Sequence, residues 1–211
     1  MKRWMPFFLA VLFLVYPFSL GELYGQSNEG GSQPSEDVSL VESGQGGAWT
    51  ASVTQAWAKR YNGPGNGDDR AWALALDGQG NVYVTGQSMG SGTDNDYATR
   101  KYSPSGQLLW AKRYNGPANS DDSAWALALD SQGNVYVTGH SMGSGTGYDY
   151  ATLKYSPSGQ LLWTKRYNGP GNGNDSANAL ALGSQGTVYV TGYSTGSGTG
   201  YDYATIRYSQ E

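Results

Sequence analysis

The chain has 211 residues, a formal net charge of −4 and only 14% charged side chains, a length sufficient for one domain with a real core. Its 32 glycines, 17 tyrosines and 7 tryptophans point to strands divided by turns. The absence of cysteine excludes disulfides, thiolate metal centres and a cysteine nucleophile, and the acidic balance argues against a nucleic-acid partner.

At the N-terminus, Lys2 and Arg3 precede an apolar run from Phe7 to Tyr16 and a small-x-small site at Ser19-Leu20-Gly21, the pattern of a secretory signal peptide over residues 1–21. The stretch from Trp4 to Leu20 is short for a membrane span and is broken by Pro6 and Pro17, so membrane attachment is expected only through an uncleaved N-terminal segment. Without Lys2 and Arg3 the balance is 11 basic against 17 acidic residues, a formal charge of −6. Residues 22–52 are polar, acidic and rich in glycine and serine, as a flexible linker is. These features predict an exported protein, periplasmic, cell-surface or extracellular.

From residue 53 onward the chain repeats. Trp57, Trp110 and Trp163 stand 53 residues apart, and their neighbourhoods align without insertion, giving copies at 53–105, 106–158 and 159–211. Each copy reads as four short strands. In the middle of the chain these are Gln107–Tyr114, Ala124–Asp130, Asn134–Gly139 and Asp149–Tyr155. Tight turns, DSQGN and SPSG, join the second strand to the third and the fourth to the first of the next copy, whereas NGPANSDDS and HSMGSGTGY are long. Tight turns force pairing, so the expected sheet is second, third, fourth, then the first strand of the following copy. Three such four-stranded antiparallel sheets in an all-β chain are the blades of a β-propeller, with a solenoid of stacked hairpins as the alternative.

The segments WAKRYNGPGNGDD, LDSQGNVYVTG and GSGTGYDYATLKYSPSG together resemble the SBBP repeat, a β-propeller repeat of secreted and cell-surface bacterial proteins. The resemblance covers about three quarters of the chain and implies a propeller fold and export, with no shared reaction. The third copy departs from the pattern at Asn174, Asn178 and Gly183, where the others carry aspartate, tryptophan and aspartate.

The string GHSMG around Ser141 has the spelling of a nucleophile elbow, which needs a strand before the serine and a helix after it. Here GSGTGYD follows, a poor helix, and the other copies read GQSMG and GYSTG, so the string is expected to be a repeated blade loop without catalytic residues. The GSGTG run likewise lacks the helix N-terminus of a phosphate cradle. The pairs Lys59/Arg60, Lys112/Arg113 and Lys165/Arg166 read as charged protection of an outer strand. Trp57, Trp110, Trp163, Tyr83, Tyr136 and Tyr189 read as packing between blades.

Because strands alternate in direction, both long loops of every copy emerge at one end of the sheet. That end collects Asp69, Asp122 and Asp175 from one loop and Asp96, Asp149 and Asp202 from the other, oxygen ligands of a kind that suits Ca²⁺, though aspartate beside glycine is also an ordinary turn former. Tyr148 and Tyr201 at the same end are candidates to stack on a glycan or a peptide.

The expected function is an exported, non-enzymatic binding or scaffold module; the alternatives are a propeller hydrolase or lyase with a central site, and a purely structural repeat fragment. The fourth-type strand Asp202–Tyr208 lacks an outer partner, which the first-type strand Gln55–Tyr61 would supply in cis or from a second chain. Three blades fall below the usual four to eight, so the sequence predicts a homodimer closing a six-bladed ring, with an open three-blade arc as the alternative.

Overall fold

The computed structural model describes residues 52–209; the expected signal peptide and all but the last residue of the expected linker lie outside the described residues. The described chain is all-β. Sheet one comprises β1 (Asp69–Leu76), β2 (Val82–Met89), β3 (Asn95–Tyr102) and β4 (Leu108–Tyr114). Sheet two comprises β5 (Asp122–Leu129), β6 (Val135–Met142), β7 (Tyr148–Tyr155) and β8 (Leu161–Tyr167), and sheet three β9 (Ser176–Leu182), β10 (Val188–Thr195) and β11 (Tyr201–Tyr208). Pairing is antiparallel and sequential in every sheet. The strand order expected from the turn lengths is therefore the order found, with sheet three one strand short.

The sheets stack face to face in chain order, approaching one another through β1, β5 and β9. Between sheets one and two, Tyr83 and Tyr97 pack on Val135, Val137, Ala151, Leu153 and Tyr155. Between sheets two and three, Tyr136 and Tyr150 pack in the same way on Val188 and Val190. Each junction is locked by a tyrosine hydroxyl that donates to a strand carbonyl of the next sheet: Tyr97 to Ala151 (3.0 Å) and Tyr150 to Ala204 (3.1 Å). The set is not closed. Leu74 on the far face of sheet one is 68% exposed, and Tyr203 on the far face of sheet three is 99% exposed.

Residues 52–63 form no strand, so within one chain the segment Gln55–Tyr61 does not complete sheet three. It is held instead on sheet one, where the Trp57 indole donates to the Pro104 carbonyl (3.0 Å) and the Arg100 guanidinium sits 4.0 Å over the Tyr61 ring. Trp110 of β4 makes the matching bond to Pro157 (3.1 Å). The segment thus occupies on sheet one the place that β4 occupies on sheet two.

A bulge recurs at the start of each first strand, between Ala71 and Ala73, Ala124 and Ala126, and Ala177 and Ala179. Its cause is opposite: a Cβ on Gly86, Gly139 or Gly192 would lie about 2 Å from the carbonyl oxygen of Arg70, Ser123 or Ser176 (1.9, 2.0 and 1.9 Å). Only glycine admits that approach, and the bulge re-aims the extra residue, which is Trp72, Trp125 or Asn178.

The turns from β1 to β2 and from β5 to β6 are organised by Asp77 and Asp130. One carboxylate oxygen accepts the N–H groups of Gln79 and Asn81 (3.0 and 2.9 Å), the other the Asn81 amide and the Tyr83 hydroxyl, and Asp130 repeats the set. Desolvation pushes both carboxyls upward, but the donors from Asn81, Gln79 and Tyr83, and their counterparts, outweigh it and hold them below the usual aspartate value. In sheet three Gly183 provides no acceptor, and the turn is a short 3₁₀ segment, Ser184–Gly186, with Gln185 forced to a φ of 56°.

Gly183 itself is extended, so Gly183→Asp needs no backbone change, only a shift of the Tyr189 ring, whose Cε2 lies 3.1 Å from the added Cβ. The variant is expected to gain about 1 kcal/mol, a rise in Tm of about 2–4 °C at neutral pH. As a carboxyl with a lowered folded-state value stabilises only while ionised, the gain should fade as the pH falls below 3.8, the ordinary value; thermal melts at pH 7 and pH 3 check both arms.

Candidate functional site

The long-loop end of the inner strands carries a ladder of polar and aromatic side chains that crosses all three sheets. The bulges aim Trp72 and Trp125 toward each other, with ring centroids 4.8 Å apart, and Trp72 is 44% exposed. Beside them on β2, β6 and β10 stand Gln87, His140 and Tyr193, equivalent positions in the three copies. Ser123 donates to Gln87 across the first junction (2.9 Å), and Ser176 lies 3.4 Å from His140 Nδ1 across the second. The ladder continues outward through Asn95, which donates to Asp121 (2.7 Å), and Tyr148, which donates its hydroxyl to Asp121 (3.2 Å) and stacks 4.5 Å from His140.

His140 is the most connected member. The Trp125 indole N–H donates to Nδ1 (3.0 Å), which fixes a lone pair there and places the ring proton on Nε2, facing Asp121 Oδ2 at 3.7 Å. That imidazole is first among the causes that hold the Asp121 carboxyl below the usual range; the Asn95 and Tyr148 donors add to it against partial burial. Asp121, His140 and Ser176 have the composition of a catalytic triad but not its geometry. The lone pair a general base would use is engaged by Trp125, and the Ser176 hydroxyl donates to Asn178 (3.2 Å).

Ser141 is not in a loop. β6 runs through GHSM to Met142, the Ser141 side chain is fully buried, and the Arg166 guanidinium donates to its Oγ and carbonyl oxygen. Strand continuity replaces the blade loop expected there. The same bonds change the reading of the Lys–Arg pairs: Arg113 and Arg166 turn back over their own sheets to Ser88 and Asp96, and to Ser141 and Asp149.

The expected cation ligands serve the loops. Asp69, Asp122 and Asp175 each accept the N–H of a glycine six residues earlier, Gly63, Gly116 and Gly169 (2.8, 2.5 and 2.6 Å). Asp96 and Asp149 pair with Arg113 and Arg166 (2.7 and 2.8 Å) and take the hydroxyls of Thr93 and Thr146. Asp202 is exposed and takes the Thr199 hydroxyl (2.7 Å). Among the described residues no three histidine, aspartate or glutamate side chains are grouped to hold a metal ion. Tyr148 belongs to the ladder, and Tyr201, 63% exposed, stacks on Tyr193 at 4.7 Å as Tyr148 does on His140.

Sequence reasoning missed Trp72, Trp125, Gln87 and Asn95 as site residues. The available signal was variation: most ladder positions hold different residues in different copies, against a scaffold that is nearly invariant.

No protein-family model matches the chain. Over 137 residues, 58% of the chain, it is 32% identical to Regulatory protein FlaEY of Caulobacter vibrioides (strain ATCC 19089 / CIP 103742 / CB 15), and it spans 13% of that protein's length.

Asp122 is wholly buried, and desolvation raises its carboxyl above the ordinary value, against the opposing pull of Ser141, the Gly116 N–H and Arg166; Oδ1 has no hydrogen-bond partner among the described residues. A buried acid with a raised value costs stability while ionised and regains it as the pH falls through that value. Asp122→Asn keeps the acceptor for Gly116 and turns a donor toward Ser141. Its expected Tm at pH 7 is equal to or a few degrees above that of the native chain, and the difference should shrink on acidification. Asp122→Ala, which strands the Gly116 N–H, should lose about 1–3 kcal/mol in denaturant titrations.

Proposed function

We propose that this chain is an exported, non-enzymatic binding module built from β-propeller repeats of the SBBP type, and that the ladder at its long-loop end takes a neutral glycan. The observation that carries the reading is the bulge-presented indole pair Trp72–Trp125 beside a row of carboxylate, carboxamide and imidazole groups. An exposed indole offers the C–H face of a sugar ring a flat apolar surface, and Asp121 and Asn178 of the ladder supply a carboxylate and a carboxamide for its hydroxyls. A net charge of −4 disfavours polyanionic ligands.

The fold reading is supported by three sheets in sequential stacking and by the turn alternation of each repeat. Export is supported by the pattern of residues 1–21. The enzyme reading is weaker because the one approach to a triad has its base occupied by Trp125.

Affinity electrophoresis through gels containing neutral polysaccharides tests the main reading. Retardation by at least one polysaccharide is expected, and Trp72→Ala and Trp125→Ala should each weaken it about tenfold, the worth of one buried aromatic contact. Retardation that survives both substitutions, or none with any polysaccharide, would overturn the glycan assignment.

A further inference from the structure

The two exposed end faces are complementary halves of the junction that the chain already builds twice. At the existing junctions, Tyr97 and Tyr150 are 1% and 0% exposed, each driven into the following sheet, whereas Tyr203 in the third copy is 99% exposed. The carbonyls that receive those tyrosines belong to Ala151 and Ala204, and the remaining member of that set, Ala98, lines an open groove of about 220 Å³ on sheet one between Trp57, Val84 and Tyr102. One end thus offers a tyrosine with no carbonyl, and the other a carbonyl with no tyrosine.

A second, independent mismatch coincides with the first. Arg113 donates to Ser88, Asp96 and Tyr61, and Arg166 to Ser141, Asp149 and Tyr114. In sheet three the corresponding cradle is Ser194, Asp202 and Tyr167, and among the described residues no arginine fills it: Ser194 Oγ is buried with no hydrogen-bond partner among them, and Asp202 is exposed where Asp96 and Asp149 are 5% and 6% exposed. The arginine that the 53-residue step assigns to that cradle is Arg60, which is exposed on the segment seated against sheet one.

We propose that the third sheet of one copy docks on the first sheet of a second copy of this chain. Tyr203 then enters the groove and donates to Ala98, residues 55–61 of the second copy add the missing outer strand beside β11, and Arg60 of the second copy fills the cradle of Ser194, Asp202 and Tyr167. The partner is identified by continuity with the two internal junctions and by charge, an unpaired guanidinium facing an unpaired carboxylate. The pairing register follows from Thr152 opposite Lys165, which sets Thr205 opposite Lys59. This contact does not rest on the glycan reading, since the residues that carry it, Tyr203, Asp202 and Arg60, are not members of the ladder.

The test is the mass of the full chain in solution by light scattering after size exclusion, together with cross-linking. An assembly of two or more copies is expected. Arg60→Asp and Asp202→Arg should each raise its dissociation constant about a hundredfold, and the double exchange should restore it. Arg60 and Asp202 are exposed in the single chain, so both single variants should keep the native circular dichroism and tryptophan fluorescence. The chain has no cysteine, so mixing Lys59→Cys with Thr205→Cys should give a disulfide-linked dimer without background. A monomer at 100 µM, or a disulfide that forms only within one chain when both cysteines are present, would overturn the proposal.

Discussion

A tyrosine of one sheet donating into the backbone of the next is the contact on which the rest of the molecule depends. A three- or four-stranded sheet has two faces, and each needs a cover. Tyr97 and Tyr150 provide it: their rings fill the space over the valines of the following sheet, and their hydroxyls satisfy carbonyls that Thr138 and Thr191 also approach. A buried phenol without a partner is costly, so the bond fixes the phase of stacking as well as its existence. Donor and acceptor lie 54 residues apart at both junctions, one more than the repeat, which keeps every later copy in step.

Much of this frame was legible in the sequence because it is written in local terms. The 53-residue period sets the copies, and short against long connections decide which strands must pair; both conclusions match the sheets found. What escaped depended on side-chain direction. Lys112 and Arg113 are adjacent on a strand and point to opposite faces, but only tertiary contacts tell that the arginine returns to Ser88 and Asp96 instead of guarding an edge. Likewise the GHSM string looks like loop because glycine and serine favour turns, yet Gly139 is in the strand to let the opposite bulge approach, and Ser141 is there to meet Arg166.

The candidate site was hidden by the same repetition that exposed the fold. The aspartates present in all three copies draw attention as ligands, but a residue repeated at a fixed turn is first of all what the turn requires: Asp69, Asp122 and Asp175 hold the glycine N–H groups of their loops. The positions released from that duty are the ones that differ. Trp72, Trp125 and Asn178 are placed by the bulge, Gln87, His140 and Tyr193 by the strand opposite, and Asn95, Tyr148 and Tyr201 by the next strand. A nearly constant scaffold therefore presents a row of three different triplets, an asymmetry suited to recognising an extended ligand along the row.

Coverage also explains why the ladder is most developed at sheet two. That sheet has a neighbour on both faces, so β7 is almost wholly buried and His140 collects contacts from β5, β7 and β9 at once. Sheet three, with one neighbour, leaves Tyr193 and Tyr201 stacked only on each other. In the proposed docking, the residue brought beside Tyr193 is the equivalent of Ser123 and Ser176, which is Arg70 of the second copy. The rung across that junction would then carry a cation where the two internal rungs carry a hydroxyl. Assembly and the ladder would meet at that rung, because the face that completes the fold also extends the row of side chains.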